Sequence, residues 1–241
     1  MLMDDKKRQE EIKKFYDEGD YFANINKYQS YSDLLKTKFQ KYRIKKLLKI
    51  YTPSKYEKVL DLGCALGTMS FALAPYCNEI VGLDYSKKAI STANRLLQTS
   101  PYNNIKFIVA SADNTNLPSN SFDVIISADL FEHLYPDVYK KTLDECRRVL
   151  KKGGKLVIWT PHSGHIIEIL KNKNILLKKD ISHVDYKKMK TLIKDLKERN
   201  FIIKKAFYAE SHNPLFNILE KILLPILPIM RRRIAILAEK Q

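Results

Sequence analysis

Cysteine is scarce in this chain of 241 residues, and so is negative charge. The three cysteines, Cys64, Cys77 and Cys146, are odd in number and lack metal-type spacing. That argues against a disulfide framework and for a reducing, cytoplasmic setting. Residues 1–20 are charged throughout and have no apolar core of the kind a secretory leader needs, so no leader is expected. The apolar stretch 214–230 is interrupted by Pro225 and Pro228 and is shorter than the ~20 residues of a membrane span, which excludes a transmembrane helix there. Acidic residues number 27 against 43 lysines and arginines, a net charge of +16. Such a balance suits acidic partners: nucleic acid, phosphorylated small molecules or an anionic membrane. The lysines are spread over the whole chain, which reads as a compositional habit and makes nucleic acid the weaker partner. No repeat, linker or second domain is visible, and the length suffices for one α/β domain with a full core.

One stretch organises the rest. Val59-Leu60-Asp61-Leu62 reads as a buried strand, Gly63-Cys64-Ala65-Leu66-Gly67 as a small-residue turn, and Thr68 to Ala74 as a helix. Strand, glycine turn and helix form the ligand loop of a doubly wound α/β domain. Glycine lets the backbone approach a ligand with no Cβ in the way. A dinucleotide fingerprint, G-x-G-x-x-G, would place glycines at 63, 65 and 68, but Ala65 and Thr68 stand at two of them. A nicotinamide oxidoreductase is therefore disfavoured. The register that fits is an acidic residue followed by glycines two and six positions on: Asp61, Gly63 and Gly67.

In that register the chain resembles the class I S-adenosylmethionine (SAM)-dependent methyltransferases, whose first motif reads roughly D-x-G-x-G-x-G. Ala65 departs from it, and a slightly tighter site is expected. The resemblance covers residues 55–160 well and the remainder loosely. It implies a Rossmann-like doubly wound, mostly parallel seven-stranded sheet with helices on both faces. It also implies one methyltransferase domain over 1–241, with a helical cap (1–53), a SAM-binding core (54–160) and an acceptor-side half (161–241).

Periodicity supports this layout. Helices are expected at 4–18, 32–51, 68–76, 86–99, 136–150 and 184–199. Strands are expected at 58–62, 79–83, 105–109, 122–127, 155–160, 201–208 and 233–238. Alternating strands and helices at this spacing mean a parallel sheet covered on both faces. The resemblance implies that the last strand is inserted antiparallel.

Ligands in such sheets lie beyond the carboxyl ends of the strands. Asp84 ends the second strand and is suited to accept from both ribose hydroxyls; the competing reading, a helix N-cap, is better filled by Ser86. The stretch Asp113-Asn114-Thr115-Asn116-Leu117-Pro118 resembles the family's D-x-x-x-L-P segment. The resemblance implies that Asp113 accepts from the adenine amino group and that the Asn114 N–H meets the ring; a turn-forming role for Asp113 is the alternative. It further places Tyr85, Ala128 and Tyr21 against the cofactor, although Tyr21 and its aromatic neighbours could equally pack on the sheet.

SAM brings its own electrophile, a methyl on a positive sulfonium, so the protein must align a nucleophile, exclude water and often take a proton. Asp129-Leu130-Phe131-Glu132-His133 follows the fourth strand, and on a helical turn Asp129, Glu132 and His133 share a face. His162 and His165 follow the fifth strand, and His183 precedes the 184–199 helix. Three readings stay open. His133 or His162 is a general base. Or Asp129, Glu132, His133, His162, His165 and His183 supply ligands for one divalent metal. Or the Glu-His pair only caps a helix and lines the pocket. The metal reading draws on a resemblance to the E-x-x-E-H sites of ubiquinone-biosynthesis O-methyltransferases and of small-RNA 2′-O-methyltransferases; Asp129 replaces the first glutamate.

These observations lead us to expect a methyltransferase acting on an oxygen, or failing that nitrogen or carbon, of a small or lipid-like acceptor. Residues 166–182 would form a lid. The stretch 214–233, apolar and ending in three arginines, would touch an anionic membrane or pack over the sheet. An RNA methyltransferase and a catalytically silent SAM-binding partner protein are the rival readings.

Overall fold

The computed structural model describes residues 4–18, 27–173, 175, 181–209, 218, 222–223 and 226–241. Tyr21, Phe22, His212 and most of the apolar stretch 214–230 lie outside the described residues.

Seven strands form one sheet: β1 (Lys58–Leu62), β2 (Glu79–Asp84), β3 (Ile105–Val109), β4 (Phe122–Ala128), β5 (Leu150–Pro161), β6 (Phe201–Ala209) and β7 (Arg233–Lys240). Their order is β3-β2-β1-β4-β5-β7-β6. The first five run parallel, and β7 is antiparallel to both β5 and β6. The chain order reverses between β1 and β4, so a crevice opens beyond the carboxyl end of β1.

The helices are α1 (Asp5–Glu18), α2 (Tyr31–Leu35), α3 (Lys38–Ile50), α4 (Thr68–Leu73), α5 (Lys87–Leu97), α6 (Pro136–Val149), α7 (Ile166–Asn172) and α8 (Met189–Glu198). Alternate residues of a strand face opposite sides, and two cores result. Val59 and Ile80 face Leu47, Phe71 and Leu96 from α3, α4 and α5, with Ile12 of α1 at the margin. Leu60, Leu62 and Val81 face Leu143 of α6 and Leu192 and Leu196 of α8. Helices therefore cover both faces, as expected.

Three helical expectations change. The run 32–51 splits into α2 and α3, because Thr37 Oγ1 accepts from the Gln40 N–H at 3.1 Å and starts a new helix. The run 184–199 becomes helical only at Met189. Before it, the Val184 and Asp185 N–H groups donate to the Glu132 carbonyl at 2.9 and 3.1 Å, which holds this segment extended over the site. Pro75 likewise ends the helix after β1 early, so that Ala74–Tyr76 closes as a 3-10 turn.

Candidate functional site

The turn after β1 makes the floor of the site. Gly63, Ala65 and Gly67 have φ of +75, +47 and +85°, left-handed conformations that favour glycine. A Cβ on Gly63 would lie 2.9 Å from Leu130 Cδ1, and one on Gly67 2.5 Å from Phe107 Cζ. The Gly63 and Cys64 N–H groups both donate to the Leu83 carbonyl, at 2.8 and 3.0 Å, and tie the turn to β2. Ala65, where a third glycine would stand, keeps the same backbone conformation. A backbone cradle of this kind fits a ligand pressed against the main chain.

Asp61, the last but one residue of β1, is buried and accepts from Ser70 Oγ at 2.6 Å. Burial pushes its carboxyl up to about 6, against the opposing pull of Ser70 and Arg43. Asp84 accepts from the Ala65 N–H and the Ser86 N–H, both at 2.9 Å, which fixes its carboxylate beside the turn. Burial raises its pKa also. Ser86 caps α5, as expected, and donates to Asp17 of α1 at 2.6 Å. Asp113 accepts from Ser111 Oγ, and the Asn114 N–H donates to the Ser111 carbonyl at 3.2 Å; both residues thus sit in a small turn beyond β3.

A cavity of about 520 Å³ opens at the ends of β1 and β4. Asp61, Gly63, Ala128, Asp129, Glu132, His133 and His183 line it, while Gly67, Asp84, Tyr85, Asp113 and Asn114 lie outside its lining.

Glu132 and His133 lie in a 3-10 turn, Phe131–His133. Glu132 is buried and accepts from Thr160 Oγ1 at 2.9 Å. Burial and then the Asp129 carboxylate push its pKa well above the usual carboxylate range. His133 Nδ1 lies 3.0 Å from the Ser182 carbonyl and 2.9 Å from the Tyr16 hydroxyl. A carbonyl only accepts, so the network assigns the proton to Nδ1 and leaves Nε2 as the acceptor nitrogen. His183 repeats the pattern: Nδ1 meets Tyr186 Oη at 2.6 Å, and that hydroxyl donates to Glu168 at 2.8 Å. Ligand atoms of Glu132, His133 and His183 lie within 4.8 Å of one another. Two imidazole nitrogens and one carboxylate, each oriented by a further hydrogen bond, form a donor set suited to a divalent ion.

Three of the expected metal ligands lie elsewhere. Asp129 has a left-handed φ of +61° and stands before the 3-10 turn, so it does not share a helical face with Glu132 and His133. Its carboxylate instead takes Arg43 Nη2 at 2.8 Å and Arg233 Nη1. Burial opposes its ionisation, but Arg233 and Arg43 outweigh burial and hold its pKa below the ordinary value. His162 Nδ1 faces the Arg231 carbonyl at 3.0 Å, its ring packs on Tyr208, and burial lowers its pKa. His165 is buried one turn on, its N–H donating to the His162 carbonyl at 3.2 Å. Neither histidine lines the cavity, which removes the geometric support for His162 as a base and for both as ligands. Sequence reasoning missed Arg43, Arg233 and Tyr16. Arg43 sits among the lysines of α3, where it reads as solvated surface.

Residues 60–158 match the sequence profile of the family described as methyltransferase domain. An uncharacterized methyltransferase, YcgJ of Bacillus subtilis, is 32% identical over 130 residues, which are 53% of this chain and 50% of that protein. A demethylmenaquinone methyltransferase of Thermotoga maritima is 40% identical over 105 residues, 42% of each chain. The chain thus spans about half the length, or less, of these relatives. The crystal structure of YcgJ superposes with a TM-score of 0.65 at 18% identity, over 83% of this chain and 99% of that one. A SAM-dependent methyltransferase of Mesorhizobium loti gives 0.63 at 18%, over 86% and 100%. The chain shares the fold of these two structures. Residues 60–158 resemble the methyltransferase domain family, SAM is the cofactor that the resemblance implies, and the backbone cradle fits it.

Two outcomes follow for the cofactor loop. Ala65→Gly should keep S-adenosylhomocysteine affinity and gain up to about 1 kcal/mol of stability, because the left-handed penalty disappears. Gly67→Ala should lose both, since its Cβ collides with Phe107; urea denaturation and calorimetric titration read the pair. The second outcome concerns pH. Asp61 has a folded pKa raised to about 6, so it is neutral below that value and ionised above it. The cationic amino group and sulfonium of SAM favour the ionised form, so affinity should fall as pH drops from 7.5 to 5. Asp61→Asn should flatten that profile, and an equally steep profile in the variant would refute the assignment.

Proposed function

We propose that the chain is a SAM-dependent methyltransferase that moves the methyl to an oxygen of a small or lipid-like acceptor, with a divalent ion held by Glu132, His133 and His183. The observation that carries this reading is the adjacency of two features. The left-handed backbone cradle and the Glu132–His133–His183 set open into the same cavity. When bound, SAM supplies the electrophilic methyl, and the ion would lower the pKa of an acceptor hydroxyl. The chain's own residues do the rest. Asp61 faces the cofactor end. Ser182 and Tyr16 fix the His133 ring, and Tyr186 with Glu168 fixes His183. The segment 182–188, bonded to the Glu132 carbonyl, covers the site and keeps water out.

A metal-free reading has its own support: the Ser182 carbonyl orients His133 so that Nε2 can take the acceptor proton directly. The relatives named for demethylmenaquinone support a small or lipid-like acceptor. Contact with a lipid surface is supported by Ile218, Ile222 and Ile226, exposed at 63, 63 and 71% and spaced four residues apart. From there the chain runs through Arg231 and Arg232 to Arg233 in the cavity wall.

Elemental analysis of protein purified without chelators is the decisive test. About one metal per chain, lost in His133→Ala and in His183→Ala with S-adenosylhomocysteine affinity intact, is the expected outcome. No metal in the parent would remove the ion and leave His133 as the base. For the lipid surface, sedimentation with phosphatidylglycerol vesicles should pull the protein down, and phosphatidylcholine alone should not. The double variant Ile222→Asp, Ile226→Asp should stay in the supernatant. A parent that ignores phosphatidylglycerol would sink this part of the reading.

A further inference from the structure

The cluster of Arg43, Asp129 and Arg233 serves no step described so far. Arg43 comes from α3, Asp129 follows the end of β4, and Arg233 opens β7, so three separate elements meet in one wall of the cavity. Arg43 donates to Asp129 at 2.8 Å, to the Ala128 carbonyl at 3.2 Å and to Gln40 Oε1 at 3.0 Å. Its Nε is buried and has no hydrogen-bond partner among the described residues. Arg233 donates, among the described residues, to Asp129 alone. Side-chain exposure is 13% for Arg43 and 19% for Arg233. Each guanidinium carries five N–H donors, so several remain to be matched.

Asp129 is the carboxylate that both arginines touch, while Asp61 also acts on Arg43, and Glu132 and Glu168 on Arg233. The unmatched N–H donors on the cavity wall, rather than a net charge, therefore point to a ligand. A planar carboxylate matches the fork geometry of guanidinium.

We propose, resting on the function argued above, that Arg43 and Arg233 form a carboxylate subsite for the acceptor, with Asp129 holding the two guanidiniums in place. The acceptor is then a small molecule bearing both a methylatable oxygen and a carboxylate. Asp129 accordingly serves as the fulcrum of this subsite, and its left-handed backbone, with the N–H donating to the Trp159 carbonyl at 2.7 Å, sets its direction.

The test is calorimetric titration of S-adenosylhomocysteine-loaded protein with 4-hydroxybenzoate and with its uncharged analogue 4-hydroxybenzamide. The acid should bind about tenfold more tightly or better, as charge-assisted hydrogen bonds require. Arg233→Gln should bring the ratio near one without changing S-adenosylhomocysteine affinity. Arg233→Lys, which keeps the charge and loses the fork, should give an intermediate ratio and covers the case in which the glutamine variant does not fold. Equal binding of acid and amide by the parent, or binding of neither, would overturn the proposal. So would variants that weaken S-adenosylhomocysteine and spare the acid, since the carboxylate held would then be the cofactor's own. A parent that binds no S-adenosylhomocysteine would instead overturn the proposed function, and the acid–amide ratio on ligand-free protein would still decide the subsite.

Discussion

Three left-handed residues within five positions at the end of β1 set the geometry on which the site depends. Each is a conformation that an L-residue adopts at a cost of about 1–2 kcal/mol, and Ala65 bears it without the relief of being glycine. The turn persists because its N–H groups are spoken for: Gly63 and Cys64 donate to Leu83, and Ala65 donates to Asp84. The same bonds that hold the turn also fix Asp84. Ligand loop and acidic residue are therefore one unit, and their relative position follows from the β1–β2 register, in which Asp61 pairs with Gly82.

Helix α1 joins this unit to the opposite side of the cavity. Asp17 accepts from Ser86 beside the loop, Tyr16 meets His133 at the other end of the site, and Gln9 bridges the His133 carbonyl and the Tyr135 N–H. A shift of α1 would have to disturb both ends together. Helix α1 is thus a mechanical link between the glycine turn and His133 in the cavity, carried by these hydrogen bonds.

The strands and the loop were legible in the sequence because each is a local pattern: apolar runs of strand length, bounded by Gly, Asp or Pro. The split of 32–51 was not, since the apolar spacing continues across Lys36 and Thr37 and only the Thr37 cap breaks it. The late start of α8 depends on the Glu132 carbonyl, which is 52 residues away from Val184 in sequence. His183 lines the cavity, where the convergence of loops at one edge of a parallel sheet puts it. The same expectation misled for His162 and His165, because β5 runs on to Pro161 beside β7 and carries them past the cavity. Asp129 was singled out for the right loop and the wrong partners. Spacing along the chain locates a carboxylate, but only the fold can bring two arginines from α3 and β7 to it.

On the proposed reading, charge divides the cavity by function. Asp61 lines the end assigned to the cofactor and Asp84 stands behind the turn, and burial disfavours the ionisation of both. The end assigned to the acceptor has the Arg43 and Arg233 guanidiniums, both held by Asp129. Between them stands Glu132, also driven toward its neutral form. Buried charged groups of this kind are costly unless opposite charges meet them. Ligand binding should stabilise the fold through electrostatics as well as contact, and the order of charge along the cavity, negative then positive, would align a cationic sulfonium toward one end and an anionic acceptor toward the other.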